Sequence, residues 1–345
     1  MPELPKSKPI AVLISDIHYS VPTLELADAA MRQAIAKANE LRIPLIVAGD
    51  LHDTKANMRA ECVNAMLETF SLADIKPYVL VGNHDRVNEK SKEHSLNFLN
   101  KYANIINRFR YPKSHTFMDR LWLVAYEHDL STLKMYLKDV PRDSILIMHQ
   151  GIQGSDSGEY IQDHSALTKE NVAKFRVISG HYHKRQTIVL PDGGKWDYIG
   201  NPYTLNFGEA SDPEKGFQIL MEDGTLEFVP TNLRKHVIIT HNLQTNESEW
   251  SSGPIKAGGG INDLVLVKVL GTKELLNKFD KEKWLRHAGV PHNAKIDLIS
   301  VDSETRYNKK TNIMTQNEIL DDLIDSKQDL SQNKKEELKK LWKNL

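Results

Sequence analysis

The stretch Tyr78–Asp85, YVLVGNHD, joins an apolar run of strand length to a glycine and then to three polar residues. Asn83, His84 and Asp85 have no evident packing purpose directly after a strand-ending glycine. The pattern predicts a buried strand whose carboxyl end carries side chains that bind or react. Ligands bind at that edge of open α/β sheets, so other strands that end in the same way would deliver partners to one crevice.

Four further apolar runs end in comparable motifs, which read SDIH, GDLHD, MHQG and GHYH. One such motif alone is weak evidence, because aspartates and histidines commonly satisfy the backbone amides of loops. Five of them at successive strand ends predict one shared metal site. The metal-type side chains of the five motifs are Asp16, His18, Asp50, Asp53, Asn83, His84, His149, His181 and His183.

Short β-branched runs alternate with helical patterns in the first half of the chain. Helices are predicted at 24–41 and 58–72. Strands are predicted at 10–15, 45–49, 78–82, 121–126, 144–149 and 176–180. This alternation is typical of βαβ units and of a parallel sheet with helices on its faces. Two later D-G turns, within 187–200 and 217–229, predict antiparallel hairpins. The predicted fold class is therefore α/β, as an α+β sandwich.

The second half divides into smaller predicted units. We predict a main domain at 1–240, a glycine-rich linker at 241–261, a small α/β capping module at 262–310 and a helical tail at 311–345. A single helix near 273–287 is expected inside the module. In the tail, Thr315 and Glu318 fit a capping box, and a second helix ends with an apolar face that contains Trp342. The tail either packs on its own domain or docks on a partner helix.

Composition narrows the functional classes. Net charge is −1, so no overall basic field indicates a nucleic-acid partner, and DNA binding would need a local basic face. Cys62 is the one cysteine, which excludes an intramolecular disulfide and suits a reducing cytoplasm. The sequence shows neither a signal peptide nor an apolar run of about 18 residues, so we expect no membrane contact and a cytoplasmic protein. The short length of the chain favours a phage or bacterial origin, and hence the cytoplasm of a bacterium or a phage-infected host.

Mixed oxygen and imidazole ligands favour Mn²⁺, Fe or Zn over an all-oxygen Mg²⁺ or Ca²⁺ site. Without a thiolate in the motifs, a cysteine-type structural zinc cage is excluded. Asp50 is central in the motif order and suits a bridging role between two cations. Two bridged cations support in-line displacement at phosphorus, which predicts phosphoester hydrolysis without a serine or cysteine nucleophile.

The ordered set D-x-H, G-D-x-x-D, G-N-H-D, H and G-H-x-H, over residues 10–185, resembles that of the calcineurin-like metallophosphoesterases. The resemblance implies that the first metal is held by Asp16, His18 and His183, and the second by Asn83, His149 and His181, with Asp50 between them. It further implies that His84 contacts the phosphate and protonates the leaving oxygen, and that Asp53 orients His84. The implied cofactors are two divalent ions, with Mn²⁺ favoured.

Residues 198–216, with the runs before them, resemble DNA nuclease subunits of the SbcD (meiotic recombination eleven) type. That resemblance implies an Mn²⁺-dependent double-strand exonuclease and single-strand endonuclease in DNA recombination and repair. It implies a module that meets DNA and a tail that binds an SbcC-like ABC-type ATPase. Whether the chain forms a homodimer stays open. A stand-alone nucleotide phosphodiesterase or phosphatase is the alternative, and a non-catalytic scaffold is disfavoured because every ligand position is filled.

Basic residues near the motifs are the candidate DNA contacts, namely Arg108, Arg110, Lys113, Lys184 and Arg185. They would touch phosphates rather than bases, although charged runs are more often solvated surface. Two residues beside the ligands are ambiguous. His52 stands where the family has an aromatic or aliphatic residue, and an outward-facing side chain is expected. Tyr182 is either packed or turned toward substrate.

Overall fold

The computed structural model describes residues 7–53, 55, 57–110, 120–156, 166–212, 214–251, 263–288, 290, 293–301 and 334–336. The strands are β1 (Pro9–Ile14), β2 (Leu45–Val47), β3 (Tyr78–Leu80), β4 (Asn104–Ile106), β5 (Phe109–Arg110), β6 (Leu121–Val124), β7 (Ile145–His149), β8 (Arg176–Gly180), β9 (Gln186–Val189), β10 (Lys195–Tyr198), β11 (Gly216–Met221), β12 (Leu226–Pro230), β13 (His236–Asn242), β14 (Glu247–Trp250), β15 (Leu264–Gly271) and β16 (Lys295–Ser300). The helices are α1 (Leu24–Leu41), α2 (Ala60–Phe70), α3 (Leu130–Lys138), α4 (Lys169–Val172), α5 (Lys273–Asn277) and α6 (Lys281–Ala288). Within these ranges, none of the helices combines the length and the apolar character that a bilayer crossing requires.

Two six-stranded sheets form the main body. The first has the order β12-β11-β1-β2-β3-β4, and the second has the order β5-β6-β7-β8-β10-β9. Strands β1 to β4 are mutually parallel, as are β6, β7, β8 and β10, because helical crossovers connect most of them. The predicted hairpins are confirmed as the antiparallel pairs β9–β10 and β11–β12.

The buried apolar residues of the main body form three clusters that separate the layers of the predicted sandwich. Along β1 the side chains alternate: Val12 and Ile14 pack with α1 and α2, whereas Ala11 and Leu13 pack between the two sheets. A third apolar cluster lies between the second sheet and the helices α3 and α4. The order of layers is therefore helix, sheet, sheet, helix, which confirms the predicted fold class.

The local predictions for the first helices hold closely. Helix α1 covers the predicted range, and its last turn ends at Arg42, which adopts the left-handed conformation before Pro44 stops any continuation. Helix α2 is shorter than predicted by two residues at each end. Helix α1 packs buried alanine, methionine and isoleucine side chains against the first sheet, and helix α2 packs Cys62, Met66 and Phe70 against it.

A separate four-stranded sheet, in the order β14-β13-β15-β16, corrects the predicted linker. Strand β13 pairs in parallel with β15 along its whole length, so residues from His236 onward belong to this sheet. The boundary predicted at 240 falls inside β13, and residues 247–250 of the predicted linker form strand β14. The single helix expected near 273–287 is two helices, α5 and α6. In the tail only 334–336 are described, as helix, and the rest of 311–345 lies outside the described residues.

Candidate metal centre

The five motifs meet because their strands end at the same edge of the two sheets. Asp16 and His18 follow β1, Asp50 follows β2, and Asn83 and His84 follow β3, while His149 ends β7 and the GHYH loop follows β8. Backbone bonds lock the loops together: the N–H of Asp16 donates to the Gly49 carbonyl and that of His18 to the Asp50 carbonyl, each at 3.1 Å. The metal-type side chains consequently face one crevice.

The first cluster consists of Asp16, His18 and His183, whose ligand atoms lie within 4.8 Å of one another. The Nε2 atoms of His18 and His183 are 3.1 Å apart. In each ring Nδ1 is already committed, to the Asp53 carboxylate at 3.2 Å in His18 and to the Glu209 carboxylate at 2.8 Å in His183. A neutral imidazole that donates through Nδ1 carries a lone pair on Nε2. Two lone pairs therefore face each other, an arrangement that a shared cation stabilises.

The second cluster gathers Asp50, His149 and His181 around the amide of Asn83. Asn83 Oδ1 lies 3.0 Å from both His149 Nε2 and His181 Nδ1, and Asp50 Oδ2 lies 3.2 Å from His149 Nε2. The Ala48 carbonyl accepts the Nδ1 proton of His149 at 2.7 Å, so Nε2 is the ring nitrogen that faces these oxygen atoms.

Both clusters fit divalent ions. Two ligand atoms that each bind one ion at about 2.1 Å, at right or tetrahedral angles, are separated by about 3.0–3.4 Å, which is the spacing found in both clusters. Asp50 Oδ2 also lies 3.9 Å from His18 Nε2, so this carboxylate stands between the clusters as the predicted bridge requires. The structure brings the seven predicted ligand side chains together in two clusters, and their role as metal ligands stays a prediction.

The electrostatic field of the centre attracts positive charge. Burial opposes the ionisation of Asp50, but the His149 imidazole and its neighbours His84 and His18 lower the pKa of Asp50 below its usual range. Burial likewise lowers the pKa of His149, and the Asp50 carboxylate more than reverses this, raising that pKa to about 9. Either a proton or a metal ion supplies the positive charge that this position stabilises.

Several ligand residues adopt backbone conformations that favour glycine. Asp16, His18 and Asp50 have φ of 54°, 50° and 50°, and His181 has φ of 91°. Non-glycine residues held in such conformations cost about 1–3 kcal/mol each and cluster at functional sites. The fold therefore gives up stability to aim these four side chains into one space.

Two glycines give the ligands room. A Cβ on Gly180 would lie 1.9 Å from Ser15 Oγ and 2.9 Å from His149 Nδ1. A Cβ on Gly82 would lie 2.1 Å from Asp50 Oδ1. Neither position needs a positive φ, so the requirement at both is close approach of the neighbouring strand end rather than a tight turn.

A family model described as calcineurin-like phosphoesterase matches residues 11–185, which is half of the chain and contains every ligand named above. The chain belongs to the calcineurin-like phosphoesterase family. It is accordingly a hydrolase of phosphoesters, and members of this family work with divalent metal ions. Among the described residues, three groups of side chains lie close enough together to hold such an ion: Asp16, His18 and His183; Asp50, His149 and His181; and His18, Asp53 and His84.

A curated relative is "Exonuclease subunit 1" of Enterobacteria phage T4, which is 24% identical over 200 residues. The match covers 54% of this chain and 56% of the relative, so the chain spans about half the length of that protein. This weak homology to a protein named as an exonuclease subunit agrees with the resemblance to nuclease subunits seen in the sequence.

Solved structures with a similar fold include a dimetal phosphatase from Danio rerio, at 11% identity and a TM-score of 0.40 over 63% of this chain and 93% of that one. Phosphopantetheinyl hydrolase from Mycobacterium tuberculosis matches at 13% identity and a TM-score of 0.34, over 57% and 91%. A 5'-nucleotidase precursor from Thermus thermophilus matches at 10% identity and a TM-score of 0.35, over 63% and 52%.

His84 lies beside the first cluster, with its ring edge-on to that of His18 at 4.9 Å between centroids. Its Nδ1–H donates to the backbone carbonyl of Asp53 at 2.9 Å, and its own N–H donates to Asp50 Oδ1 at 2.9 Å. Asp53 and His84 are therefore in contact, but the contact is made by the Asp53 backbone carbonyl and not by its side chain. The Asp53 carboxylate contacts His18 instead, because the loop turns that side chain toward the first cluster.

The expectation for His52 is wrong. Its side chain is buried, since the residue bridges to Tyr19 in strand-like fashion and its N–H donates to Asp85 Oδ1 at 2.9 Å. Tyr182 is packed: its ring stacks between those of His181 and Tyr198, with centroids 5.0 Å away on each side. It supports the ring of a ligand rather than facing solvent.

The five residues predicted to contact DNA differ in their surroundings. Arg108 is exposed, whereas the side chain of Arg110 and all of Lys113 lie outside the described residues. Lys184 forms an ion pair with Asp156, and the Arg185 guanidinium lies over the Phe228 ring at 4.2 Å. Of these five residues, only Arg108 is described with a side chain turned to solvent and without a named partner, so their DNA role stays a prediction.

The sequence assigned no role to some of the supporting residues. Asp85 is buried and accepts the N–H groups of His52 and Gly82, tying the GDLHD loop to the GNHD loop. Burial and the nearby Asp50 charge raise the pKa of Asp85 to about 6. Glu209, Lys215 and Asn201 lie behind His183. They fall inside 198–216, a tract that the sequence marked as distinctive but without assigning roles to its residues.

Proposed function

We propose that this chain is the nuclease subunit of a two-component DNA-processing enzyme and hydrolyses DNA phosphodiesters with two Mn²⁺ ions. The observation that carries the proposal is the pair of ligand clusters with Asp50 Oδ2 between them and His84 beside them. Bound at these clusters, the ions would activate water and neutralise charge on the phosphate.

His84 is the group that we assign to the leaving oxygen. The Asp53 carbonyl accepts the Nδ1 proton, so Nε2 is the nitrogen available to substrate, and the proton given to the leaving oxygen would have to be carried there. The bond from its own N–H to Asp50 Oδ1 fixes His84 relative to the bridging carboxylate. A general acid that is held in this way contributes about 10²–10⁴-fold to a reaction rate.

The choice of DNA as substrate is supported by the relative from phage T4, whose name states an exonuclease, and by the resemblance of 198–216 to SbcD-type nucleases. The same resemblance supports an SbcC-like ABC-type ATPase as partner of the C-terminal helices and a role in recombination or repair. A single cysteine fits the reducing cytoplasm of a bacterial or phage-infected cell.

A nucleotide phosphodiesterase is the second candidate. It is favoured by the net charge of −1 and by the ion pair and ring contact that engage Lys184 and Arg185. Small substrates need no long basic surface, whereas duplex DNA is bound largely through its phosphates.

The decisive assay offers labelled linear duplex DNA, circular single-stranded DNA and a small nucleotide phosphodiester to the protein with Mn²⁺, Mg²⁺ or chelator. We expect Mn²⁺-dependent DNA cleavage that falls about 10²–10⁴-fold in His84→Ala, whose side chain is not a predicted ligand. Intact DNA together with cleavage of the small diester would refute the nuclease and establish the second candidate.

The partner is tested by truncation after Thr311. We expect the shortened chain to lose association with the ATPase and to keep its Mn²⁺-dependent cleavage of DNA. Unchanged association would remove the docking role of the tail.

A further inference from the structure

Glu209 is a buried carboxylate that contacts the first cluster from behind. Its Oε1 accepts the Nδ1 proton of His183 at 2.8 Å. Its Oε2 accepts from the Asn201 amide at 2.9 Å and from the backbone N–H of Leu205 at 3.1 Å. With both oxygens bonded and a side chain only 11% exposed, the carboxylate has one orientation, and that orientation aims His183 Nε2 at His18.

Lys215 supplies the countercharge. Its Nζ lies 3.3 Å from Glu209 Oε2 and donates to Asp212 Oδ2 at 2.7 Å and to Asn201 Oδ1 at 2.5 Å. It also donates to the backbone carbonyl of His183 at 3.2 Å. Lysine is almost never buried this fully unless its charge is paired. Here Lys215 contacts the backbone of His183 directly, and it also contacts Glu209, which bonds to the His183 ring.

The chain around Glu209 is itself rigidly placed. Glu209 ends a short 3₁₀ turn, Phe207–Glu209, which is capped by the Asn206 side chain through the Gly208 N–H. The Phe207 ring packs edge-on against His236 at 4.8 Å, and the His236 N–H donates to Thr204 Oγ1 at 2.9 Å. The segment behind His183 is therefore held at two points, by the bond of Glu209 to His183 and by the contact of Phe207 with His236 at the start of β13.

The second cluster has a different support. The remote nitrogen of His149 is held by the Ala48 carbonyl, a neutral backbone group that no side-chain substitution removes. A carboxylate behind a ligand histidine raises the basicity of the nitrogen that faces the ion, and removal of such a group typically costs 10–100-fold in metal affinity. The effect of Glu209 should therefore fall on one ion.

We propose that Glu209 and Lys215 are positioning residues that set the affinity of the first metal site alone, Glu209 by fixing and polarising His183 and Lys215 by holding Glu209 in place. This assignment rests on the proposed two-metal function. Glu209 faces the Lys215 ammonium at 3.3 Å and accepts hydrogen bonds from His183, Asn201 and Leu205, which is the set of contacts that a carboxylate makes.

The test is calorimetric titration of Mn²⁺ into the chelator-treated full chain, without DNA. The variants are Glu209→Gln, which keeps an acceptor for Nδ1–H but removes the charge, and Asp197→Asn as matched control. Asp197 is a carboxylate of similar burial, at 16% exposure, and it pairs with Arg176 rather than with a ligand. Melting curves recorded in chelator report folding separately.

Wild-type protein and Asp197→Asn should show two Mn²⁺ binding events. In Glu209→Gln one event should weaken about 10–100-fold while the other stays at its wild-type affinity. Unchanged affinity at both sites, or an equal loss at both, would overturn the proposal. If Glu209→Gln does not fold, Glu209→Asp takes its place, because it keeps the charge but shortens the reach to His183, and the same two outcomes decide.

A result that refutes the nuclease proposal can be distinguished from one that refutes the role of Glu209. Wild-type protein that binds two Mn²⁺ ions but leaves DNA intact would refute the proposed substrate and leave the role of Glu209 standing. Wild-type protein with a single binding event would refute the two-metal premise.

Discussion

The two ligand clusters each contain a carboxylate and two histidines, and the second also contains Asn83, but they are supported differently. In the second cluster, His149 is fully buried and its outer nitrogen is bonded to the Ala48 carbonyl. In the first, His18 and His183 are each held by a carboxylate side chain, and the side chains of His183 and Asp53 are 31% and 41% exposed. Backbone support is fixed by the fold, whereas side-chain support is open to substitution. Substitution of a side chain can therefore remove the support of either first-cluster histidine, but it cannot remove the support of His149.

The largest expected effect comes from the residue that both halves share. Asp50→Asn removes the negative charge that lies 3.2 Å from His149 and 3.9 Å from His18. Both Mn²⁺ affinities should fall together, and cleavage should drop to the level measured with chelator. Mn²⁺ titration and the cleavage assay check this. Retention of one wild-type site would show that Asp50 serves a single cluster.

Removal of one histidine from each half should separate the clusters. His149→Ala should weaken the second site and leave the first mostly formed, and His183→Ala should do the reverse. We expect one binding event to survive in each variant, because Asp50 keeps its contact with the remaining cluster. Titration of the two variants, side by side, gives the answer. Loss of both events in either variant would mean that the clusters form only together.

Asp53→Asn should give the smallest effect. Its carboxylate bonds to His18 Nδ1 at 3.2 Å, but it is partly exposed, so solvent screens its charge. The backbone carbonyl that holds His84 is untouched by the substitution. We expect a loss of Mn²⁺ affinity at the first site smaller than that in Glu209→Gln, and a nearly unchanged cleavage rate at saturating Mn²⁺. A large fall in that rate would restore the predicted role of the Asp53 side chain in orienting His84.

Much of the centre was predictable from the sequence because its signals are local. An apolar run, a glycine and a metal-type side chain stand next to each other, and parallel strands bring such ends to one edge. Gly180 and Gly82 belong to that local signal, since each leaves room for a neighbouring ligand or strand end.

The supporting residues were not predictable because their contacts are tertiary. Glu209 reaches His183 across 26 positions, and no periodicity marks a glutamate in a polar tract. The burial of His52 depends on a bridge to Tyr19, in the loop after the first strand, which no pattern in GDLHD reveals. Strand β13 was missed because its partner β15 lies beyond a glycine-rich stretch that resembles a linker.

The central claim is that one carboxylate, Asp50, stands between two metal ions. Crystals soaked in Mn²⁺ and measured at the manganese absorption edge test it most directly. We predict two anomalous peaks about 3.5–4 Å apart, one beside His18 and His183 and one beside Asn83 and His149, with Asp50 Oδ2 between them. A single peak, or two peaks that do not share Asp50, would contradict the account.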